Sequence, residues 1–449
     1  MAKQIELTPA CPDWSSLFPK PAELDRRLRI ACPCVGIHGC GHAIQSMATG
    51  ADSVLVYDLQ AGYKNYLLDH LQAGGMRLQD IVLNLGKKAG DLMKVPLSEL
   101  GWADFLVSGP PCPPWAGQGK RKGLKDKHKR GHVFMRVLQW ALFLIKCGGL
   151  LGCVLENVLG MTHAVQGREP FMDRILRCVR LLAPEFDWVV SILHARDYLL
   201  PQTRVRVFLR GMRKAIINSV PACLPALGTR HIREALAKLP CTPRSALTPP
   251  QQKNLTDFES NIVNCVDAGK LQLEDVVVVA VDRAEGAVYN PTMTTNSFPT
   301  LTTHNQYLMI LSVADVVAGT PDEQREFFRK PDPTERMTAQ GFPADAVLRV
   351  PSNLHVFAPG NAYPPPLIRA ALQPMIEALA NSTLVLRDWP PQSMLSTEEP
   401  EEAQKLMRMM RGPGKKMKKA KPQQAKAKPQ KAKANARATK KKRALSDSE

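Results

Sequence analysis

The sequence predicts an α/β fold: a doubly wound parallel sheet that carries a smaller, mixed second domain. Two observations predict the sheet. Between residues 26 and 211, short β-rich runs alternate with longer helical patterns, and the two clearest helices keep their apolar residues on one face. A third observation predicts the second domain, because this alternation ends after Gly211 and residues 212–325 are rich in Pro, Thr and Asn. In such folds, ligands bind beyond the carboxyl ends of the strands.

The elements of the first region follow in order along the chain. Candidate strands cover residues 53–57, 80–85, 104–108, 149–155, 187–193 and 205–210. A helix over 132–146 places Val133, Val137 and Ile145 on one face, and a second helix over 171–182 stops before Pro184. Further on, the pattern predicts strands over 275–281 and 307–313, and a helix over 367–380 that follows three prolines.

These patterns divide the chain into five parts. They are an N-terminal extension at 1–25, the sheet domain at 26–211, the mixed domain at 212–325, a return to the sheet domain at 326–385, and a linker with a Lys-rich tail at 386–449. The net charge is +19, and residues 411–449, with fifteen Lys or Arg and two acids, contribute +13 of it. We expect this tail to be disordered, since it has no aromatic residue with which to form a core. Its charge indicates a polyanionic partner, and a dispensable solubilising extension is the alternative.

Composition limits the class of protein. Apolar residues make up 44% of the 449 and charged residues 22%, which is enough for a packed core. No apolar run approaches the roughly 20 residues that span a bilayer. The eleven cysteines lack the repeated spacing of a disulfide framework. We therefore expect a soluble, intracellular protein from a reducing compartment, and the basic tail favours the nucleus.

A glycine turn follows the first possible strand. Ile37-His38-Gly39-Cys40-Gly41 would let a ligand approach the backbone closely, and Asp58, 17 residues beyond Gly41, could accept two ribose hydroxyls. A plain strand-to-helix connection is the alternative. Pro33 fits poorly in the preceding strand, because proline cannot donate a hydrogen bond within a central ladder.

A cysteine held by prolines follows the strand predicted at 104–108. Ser108-Gly-Pro-Pro-Cys112-Pro-Pro-Trp115 runs into Gly117, Gly119 and Gly123, with cations at 120, 121, 122, 125, 127 and 129. A rigid thiol at a strand end beside cations is typical of a nucleophile with a lowered pKa. The glycines indicate a mobile loop that could close over an anion. A buried, inert thiol is the alternative.

Two further polar motifs lie at strand ends. Glu156 closes a candidate strand, where partial burial would let it hold or donate a proton; a solvated loop acid is the alternative. Gln202, Arg204 and Arg206 alternate with other residues as they enter the last strand, so their side chains share one face. Three polar groups on one face suit recognition of a base edge or a phosphate, and a solvated sheet edge is the alternative.

Taken in order, these motifs resemble those of the cytosine-C5 DNA methyltransferases that use S-adenosylmethionine. Pro-Pro-Cys112 resembles the catalytic-cysteine motif, Glu156-Asn157-Val158 the Glu-Asn-Val motif, and Gln202-x-Arg204-x-Arg206 the Gln-x-Arg-x-Arg motif. Gln340-Gly341-Phe342-Pro343 and Gly360-Asn361-Ala362-Tyr363-Pro364 resemble the motifs that follow the target-recognition region. The resemblance is co-linear from about residue 30 to 380.

The resemblance implies a Rossmann-like methyltransferase sheet, with residues 212–325 as the target-recognition domain. It implies a catalytic set of Cys112, Glu156, Gln202, Arg204 and Arg206. It also implies that S-adenosylmethionine contacts Gly39, Cys40, Gly41, Asp58, Leu59, Asp91, Leu92, Pro110, Asn361 and Ala362.

The implied reaction methylates C5 of a cytosine that is flipped out of duplex DNA. The Cys112 thiolate adds to C6, while Glu156 engages N3 and the exocyclic amine and Arg206 binds the base carbonyl. Arg204 and Gln202 position the loop and the backbone. After C5 has taken the methyl group, loss of the C5 proton and expulsion of Cys112 restore the ring.

The first motif departs from the family pattern. Val35 replaces an acid, Ile37 a phenylalanine and His42 a glycine, which leaves the details of cofactor binding open. Trp115-Ala116 replaces the usual Phe-Ser after the cysteine. A run of potential metal ligands lies in the same segment: Cys32, Cys34, His38, Cys40 and His42. Their spacing is not that of a zinc site, so we expect no metal.

Two alternative functions stay open at this point. A tRNA-methylating branch of the family shares the motifs, but the Cys-Phe-Thr tripeptide expected in that branch does not occur in this chain. A catalytically silent chromatin protein is the second alternative: the divergent first motif favours it, and the intact Cys112, Glu156 and Arg206 argue against it. We expect a monomer with double-stranded DNA as its partner and the tail on nucleic-acid phosphates.

Overall fold

The computed structural model describes residues 14–24, 27–47, 51–75, 81–116, 122–165, 167–282, 293–302, 307–384 and 400–411, with the backbone alone at 51–54 and 411. The main strands are β1 Leu28–Pro33, β2 Ala51–Asp58, β3 Val82–Leu85, β4 Phe105–Ser108, β5 Gly152–Val158, β6 Phe186–His194 and β7 Val205–Arg213. They form one seven-stranded sheet in the order β3-β2-β1-β4-β5-β7-β6. The predicted α/β sheet domain is therefore confirmed.

Helices cover the sheet and link its strands. They are α1 Trp14–Leu17, α2 Gly39–Met47, α3 Lys64–Ala73, α4 Gly86–Ala89, α5 Arg130–Lys146, α6 Phe171–Leu182, α7 Pro249–Asp267, α8 Val313–Val317, α9 Pro333–Thr338, α10 Ala346–Arg349, α11 Phe357–Asn361, α12 Pro365–Ala380 and α13 Glu401–Arg411. In α6, Met172, Ile175 and Val179 are buried at helical spacing, which is the pattern that predicted this helix. Of the three prolines predicted to precede α12, Pro364 is its N-cap and Pro365 and Pro366 occupy its first turn, where their missing N–H groups cost nothing.

One strand corrects the prediction of a parallel sheet. β7 runs antiparallel to both β5 and β6, while the pairs among β1 to β5 are parallel. The connection from β6 to β7 spans residues 195–204, which is shorter than the dozen or more residues of a parallel crossover. As a result, the beginning of β7 lies beside the carboxyl end of β5, and Arg206 pairs with Val158. The antiparallel strand thereby places Arg206 at the functional edge.

Pro33 is accommodated because it ends β1. The ladder between β1 and β4 covers Ile30 and Ala31 only, so the nitrogen of Pro33 lies past the last paired residue on that side. On the other side, Pro33 pairs with Tyr57 at the end of the β2 ladder. The chain then turns into the loop that leads to α2.

The second domain is an antiparallel sheet with one long helix. Its strands are β8 Val276–Ala280, β9 Met293–Thr295, β10 Leu308–Ser312 and β11 Phe328–Arg329, in the order β11-β10-β8-β9. All five residues of β8 are buried, because α7 packs on one face and Phe298 and Ala339 lie on the other. Arg329 lies beyond the predicted boundary at residue 325, so the small sheet extends into the segment assigned to the sheet domain.

The described parts of the predicted N-terminal extension and linker pack against the rest of the chain, which the sequence did not predict. In the predicted N-terminal extension, Trp14 Nε1 donates to the Gly341 carbonyl at 2.9 Å. In the predicted linker, α13 lies against α5 and α6: Gln139 Nε2 donates to the Ala403 carbonyl, and Leu406 is buried. The Lys-rich tail from 412 onward lies outside the described residues. None of the described helices is long and apolar enough to cross a membrane.

Candidate functional site

The loop of Cys112 leaves the carboxyl end of β4 and is fixed on two sides. Ser108 Oγ donates to the Pro33 carbonyl at 2.6 Å, which ties the loop to β1. Asn157 Nδ2 donates to the Pro110 carbonyl at 3.0 Å, which ties it to β5. The half-buried Cys112 therefore projects from a braced backbone, as the prolines predicted.

Trp115 closes the far side of this loop. Its ring stacks on Phe171 with centroids 3.8 Å apart. The Trp115 carbonyl packs closely against Gly160, where a Cβ atom would overlap it. Of the glycine-rich stretch predicted to close over a ligand, residues 117–121 lie outside the described residues. Gly123 is described and adopts φ +54°, a left-handed conformation that suits glycine.

Glu156 lies within β5 rather than at its end. The strand continues to Val158, and Glu156 pairs with Phe208 of β7. Arg206 Nε lies 2.7 Å from Glu156 Oε1, and the two side chains are 8% and 7% exposed. The guanidinium N–H does not point along that line, so Oε1 accepts no hydrogen bond among the described residues. A buried acceptor of this kind is suited to a ligand donor.

Arg204 and Gln202 are buried against the chain itself, so the predicted open face of three polar groups is wrong for these two. Arg204 donates to the Leu301 carbonyl at 3.2 Å and to the Ala362 carbonyl at 2.6 Å. Gln202 Nε2 donates to the Ala339 carbonyl at 2.5 Å. Both side chains join β7 to segments that follow the second domain or belong to it, which makes them positioning residues.

Opposing effects act on the Cys112 thiol. Burial raises its pKa, the Arg206 charge lowers it, the Glu156 charge raises it, and the Arg204 charge lowers it. The net result is a raised pKa, so the predicted lowering is wrong for the site without ligand. Asn157, the neighbour of Glu156, holds the Pro110 carbonyl in the Cys112 loop, and Arg206 lies beside Glu156, so the three residues lie close together although they belong to separate strands and a loop.

Asp58, at the end of β2, is equipped to hold a ribose. Its Oδ2 accepts from Gly36 N at 2.8 Å and its Oδ1 from Gln60 N at 2.7 Å. Burial raises the pKa of this carboxyl, against the lowering effect of the two N–H groups. A carboxylate offers about four lone-pair positions, so each oxygen keeps one for a hydroxyl group. The next residue, Leu59, is 52% exposed and could contact an adenine ring.

The glycines of the predicted cofactor turn pack against other parts of the chain. Gly39, Cys40 and Gly41 open α2 and are all buried. A Cβ at Gly39 would overlap the Tyr363 carbonyl, and a Cβ at Gly41 would overlap the His38 ring. The predicted direct contact of these residues with a ligand therefore finds no support in their surroundings.

Gly36, which the sequence motifs did not single out, is the open glycine of the turn. It adopts φ +56°, and a Cβ there would meet only the Asn361 carbonyl at 3.6 Å. Asn361 itself is exposed. Leu59 and Asn361 are exposed and Asp58 is half-buried, so these three form the accessible edge of the predicted cofactor site, and the buried Gly36 donates to Asp58 from within the turn. The sequence does contain a signal for this residue, because Gly36 is a third glycine three positions before Gly39.

The remaining predicted cofactor residues divide into two groups. Asp91 lies near Asp58, because Gly90 packs so closely that a Cβ would overlap the Asp58 carbonyl. The carboxylate of Asp91 accepts from Met93 N and pairs with a lysine. The other three are buried: Leu92, Pro110 and Ala362. Of these, Pro110 and Ala362 present carbonyl groups to other side chains of the site, as described above.

Three of the potential metal ligands in the first motif come together despite their spacing. The ligand atoms of Cys32, His38 and Cys40 all lie within 4.8 Å of one another, and the three residues are buried. Burial alone would raise the pKa of Cys40, but hydrogen bonds with Cys32 and His38 and the His38 charge outweigh it and lower the pKa to about 5. The expectation that this run forms no metal site is therefore not supported by the geometry.

Comparison with known proteins identifies a family whose model matches this chain. Residues 82–377 match the family model described as C-5 cytosine-specific DNA methylase. The type II methyltransferase M.AquIA of Picosynechococcus is 36% identical over 181 residues, which cover 35% of this chain and 69% of that protein.

Other matches are shorter or more distant. M.NlaIV, a type II methyltransferase of Neisseria lactamica, is 28% identical over 34% of this chain, and the chain spans only 38% of the length of that relative. Among solved structures, the Entamoeba histolytica methyltransferase EhMeth aligns with a TM-score of 0.47 and 13% identity, over 79% of this chain and 99% of that one.

Proposed function

Because this chain belongs to the C-5 cytosine-specific DNA methylase family, we propose that it is an S-adenosylmethionine-dependent enzyme that methylates C5 of cytosine in DNA. One observation supports this most strongly. Cys112, Glu156 and Arg206 meet at one sheet edge, and Glu156 keeps a buried oxygen without a hydrogen bond beside Arg206.

The chemistry begins at Cys112. Cytosine C5 is a weak nucleophile, and addition of a thiolate to C6 moves electron density to C5. The raised pKa of the thiol means that its proton must leave before or during this addition. The charge of Arg206 favours the thiolate and then the base carbonyl, on which negative charge grows.

Glu156 binds the opposite edge of the base. Its free Oε1 can accept from the exocyclic amine, and in its protonated form the carboxyl can donate to N3 as the adduct forms. After C5 has been methylated, loss of the C5 proton and departure of Cys112 restore the aromatic ring. Arg204 holds the Ala362 carbonyl and the Leu301 carbonyl, which keeps the walls of the site in register.

The cofactor would lie along the accessible edge formed by Asp58, Leu59 and Asn361. Asp58 would accept the ribose hydroxyls, and Leu59 would cover one face of the adenine. When bound, S-adenosylmethionine supplies an electrophilic methyl group. The residues fit this ligand because the carboxylate has acceptor capacity left and Gly36 puts no side chain beside it.

The second domain would contact the DNA duplex, and the target base would be flipped into the site. Attack on C6 requires this, because the atom lies within the base stack of intact DNA. The enzyme would act as a monomer.

Trapping tests the proposed covalent step. In DNA with 5-fluorocytosine, C5 has no proton to lose after methylation, so the bond to Cys112 should persist. We expect a denaturation-resistant protein–DNA adduct that requires S-adenosylmethionine. Cys112→Ala should abolish the adduct, and Cys153→Ala, at a buried thiol on β5, should retain it. An adduct that survives in Cys112→Ala would contradict the assignment.

The basic tail would bind DNA phosphates and direct the protein to the nucleus. Its fifteen Lys or Arg residues could release condensed counterions, which makes affinity fall steeply with salt. Removal of residues 412–449, which carry fourteen of the fifteen, should weaken DNA binding and flatten its dependence on salt. Equal affinity and an equal salt slope without the tail would exclude this role.

A further inference from the structure

We infer that Cys32, His38 and Cys40 form a zinc-binding site at the turn between β1 and α2. Their ligand atoms already lie within 4.8 Å of one another. Bonds of about 2.3 Å to sulfur and about 2.0 Å to nitrogen place ligand atoms roughly 3.5–3.8 Å apart around one Zn²⁺ ion. The three side chains therefore need to close by at most about 1 Å, which small χ rotations can supply.

The chemistry of the three ligands suits zinc in a buried place. Cys32, His38 and Cys40 are each 0% exposed. Two thiolates and one neutral imidazole balance the two charges of Zn²⁺, so the loaded site is neutral overall and burial is tolerated. Thiolate and imidazole are also the ligands that select zinc over magnesium or calcium. The Tyr363 side chain is buried beside Cys32 and Cys40, so its hydroxyl group lies next to the three ligands.

The backbone is shaped to bring these ligands together. His38 adopts φ +61°, a left-handed conformation that costs energy for a residue with a side chain. Gly41 leaves the space that the His38 ring fills, and Gly39 admits the carbonyl of Tyr363. Of the two glycines that bracket Cys40, Gly41 is therefore accounted for by the His38 ring and Gly39 by the Tyr363 carbonyl.

A second thiol in the same segment does not belong to the set. Cys34 lies beside Asp58 and Ser108, on the side of the loop that meets β2 and β4, and it is only partly buried. Cys34 is two residues from Cys32 in the sequence. Its substitution is therefore a matched control for the loss of a thiol in this turn.

Zinc at this place would brace the proposed active site from behind. The Tyr363 ring lies against Gly109, at the base of the Cys112 loop, while its carbonyl lies against Gly39. A metal that fixes the turn would therefore also fix the wall between the cofactor edge and the nucleophile. Metal binding itself does not depend on methyl transfer, so the two proposals can fail separately.

Metal analysis of the full-length chain tests the site. Protein purified under reducing conditions and dialysed against a weak chelator should retain about one zinc per chain by mass spectrometry of metals. Cys32→Ser and Cys40→Ser should each lower that content at least tenfold, and Cys34→Ser should leave it unchanged. Equal zinc in all four proteins, loss of zinc in Cys34→Ser, or no zinc in the wild type would overturn the inference.

A second measurement avoids reliance on variants that fail to fold. Co²⁺ added to the metal-free wild-type chain should produce a thiolate-to-cobalt charge-transfer band together with visible bands of tetrahedral intensity. Zn²⁺ should displace both. A spectrum without the charge-transfer band would exclude thiolate ligands and overturn the inference, whatever the variants do.

Discussion

Replacing Glu156 by glutamine should separate the electrostatic role of this residue from its shape. The substitution removes the negative charge 2.7 Å from Arg206 Nε and leaves that guanidinium buried, with the Val205 carbonyl as its hydrogen-bond acceptor among the described residues. Removing one partner of a buried ion pair costs about 3–5 kcal/mol, and the retained amide oxygen should keep the loss of unfolding free energy near the lower figure. Without a group that can pass a proton to the base, methyl transfer should slow by about 10²–10⁴-fold.

The assay pairs single-turnover methyl transfer with urea unfolding. Glu169→Gln is the matched control, because Glu169 pairs with Arg177 at a similar distance, 2.6 Å, but with side chains 31% and 64% exposed. That control should lose at most about 1 kcal/mol and keep wild-type activity. If Glu156→Gln transfers methyl within about tenfold of the wild type, the proposed role of Glu156 is wrong. If Glu156→Gln loses no more unfolding free energy than the control, burial of the Glu156–Arg206 pair does not make it important for stability.

Three further predictions follow from the same contacts. Because burial holds the pKa of Cys112 above its ordinary value of 9.0, kcat/KM should climb about tenfold per pH unit between pH 7 and pH 9, and a plateau below pH 8 would contradict this. Gly109→Ala should cost about 1–3 kcal/mol in urea unfolding and reduce methyl transfer, since the new Cβ would overlap the Tyr363 ring; unchanged stability would show that the ring can move away freely. Glu335→Ala should cost about 3–5 kcal/mol, because it removes the carboxylate 2.6 Å from the buried Arg329 guanidinium and leaves that charge with backbone carbonyls as its acceptors; a loss below 1 kcal/mol would refute this.

Local pattern was enough to predict most elements of the sheet domain. The helix predicted over 171–182 matches α6 residue for residue, because its apolar positions follow helical spacing and a proline follows its end. The direction of β7 could not be predicted in this way, since alternation reports which face is buried and not which way a strand runs. α13 was missed because most of its side chains are polar and its buried stripe is narrow.

The sequence predicted which residues belong to the site better than it predicted how they are arranged. The motif around Arg204 indicated a polar face, but the carbonyls that cover it come from residues 97 and 158 positions away, which no local pattern reports. The raised pKa of Cys112 depends likewise on burial that only the folded chain defines. The proximity of Cys32 and Cys40 was missed because the ligands lie on a strand, a turn and the start of a helix that fold back on one another. Known zinc-ligand spacings apply to ligands on short loops and do not predict such an arrangement.

Transfer of radiolabelled methyl from S-adenosylmethionine, measured in parallel on duplex DNA and on total tRNA, tests the central claim most directly. The wild-type chain should label cytosine in DNA, and Cys112→Ala, with its fold verified by urea unfolding, should not. Label in tRNA alone would move the substrate to RNA with the same residues at work. No label in either nucleic acid, from folded protein that binds DNA, would contradict the proposed activity and leave a silent DNA-binding protein.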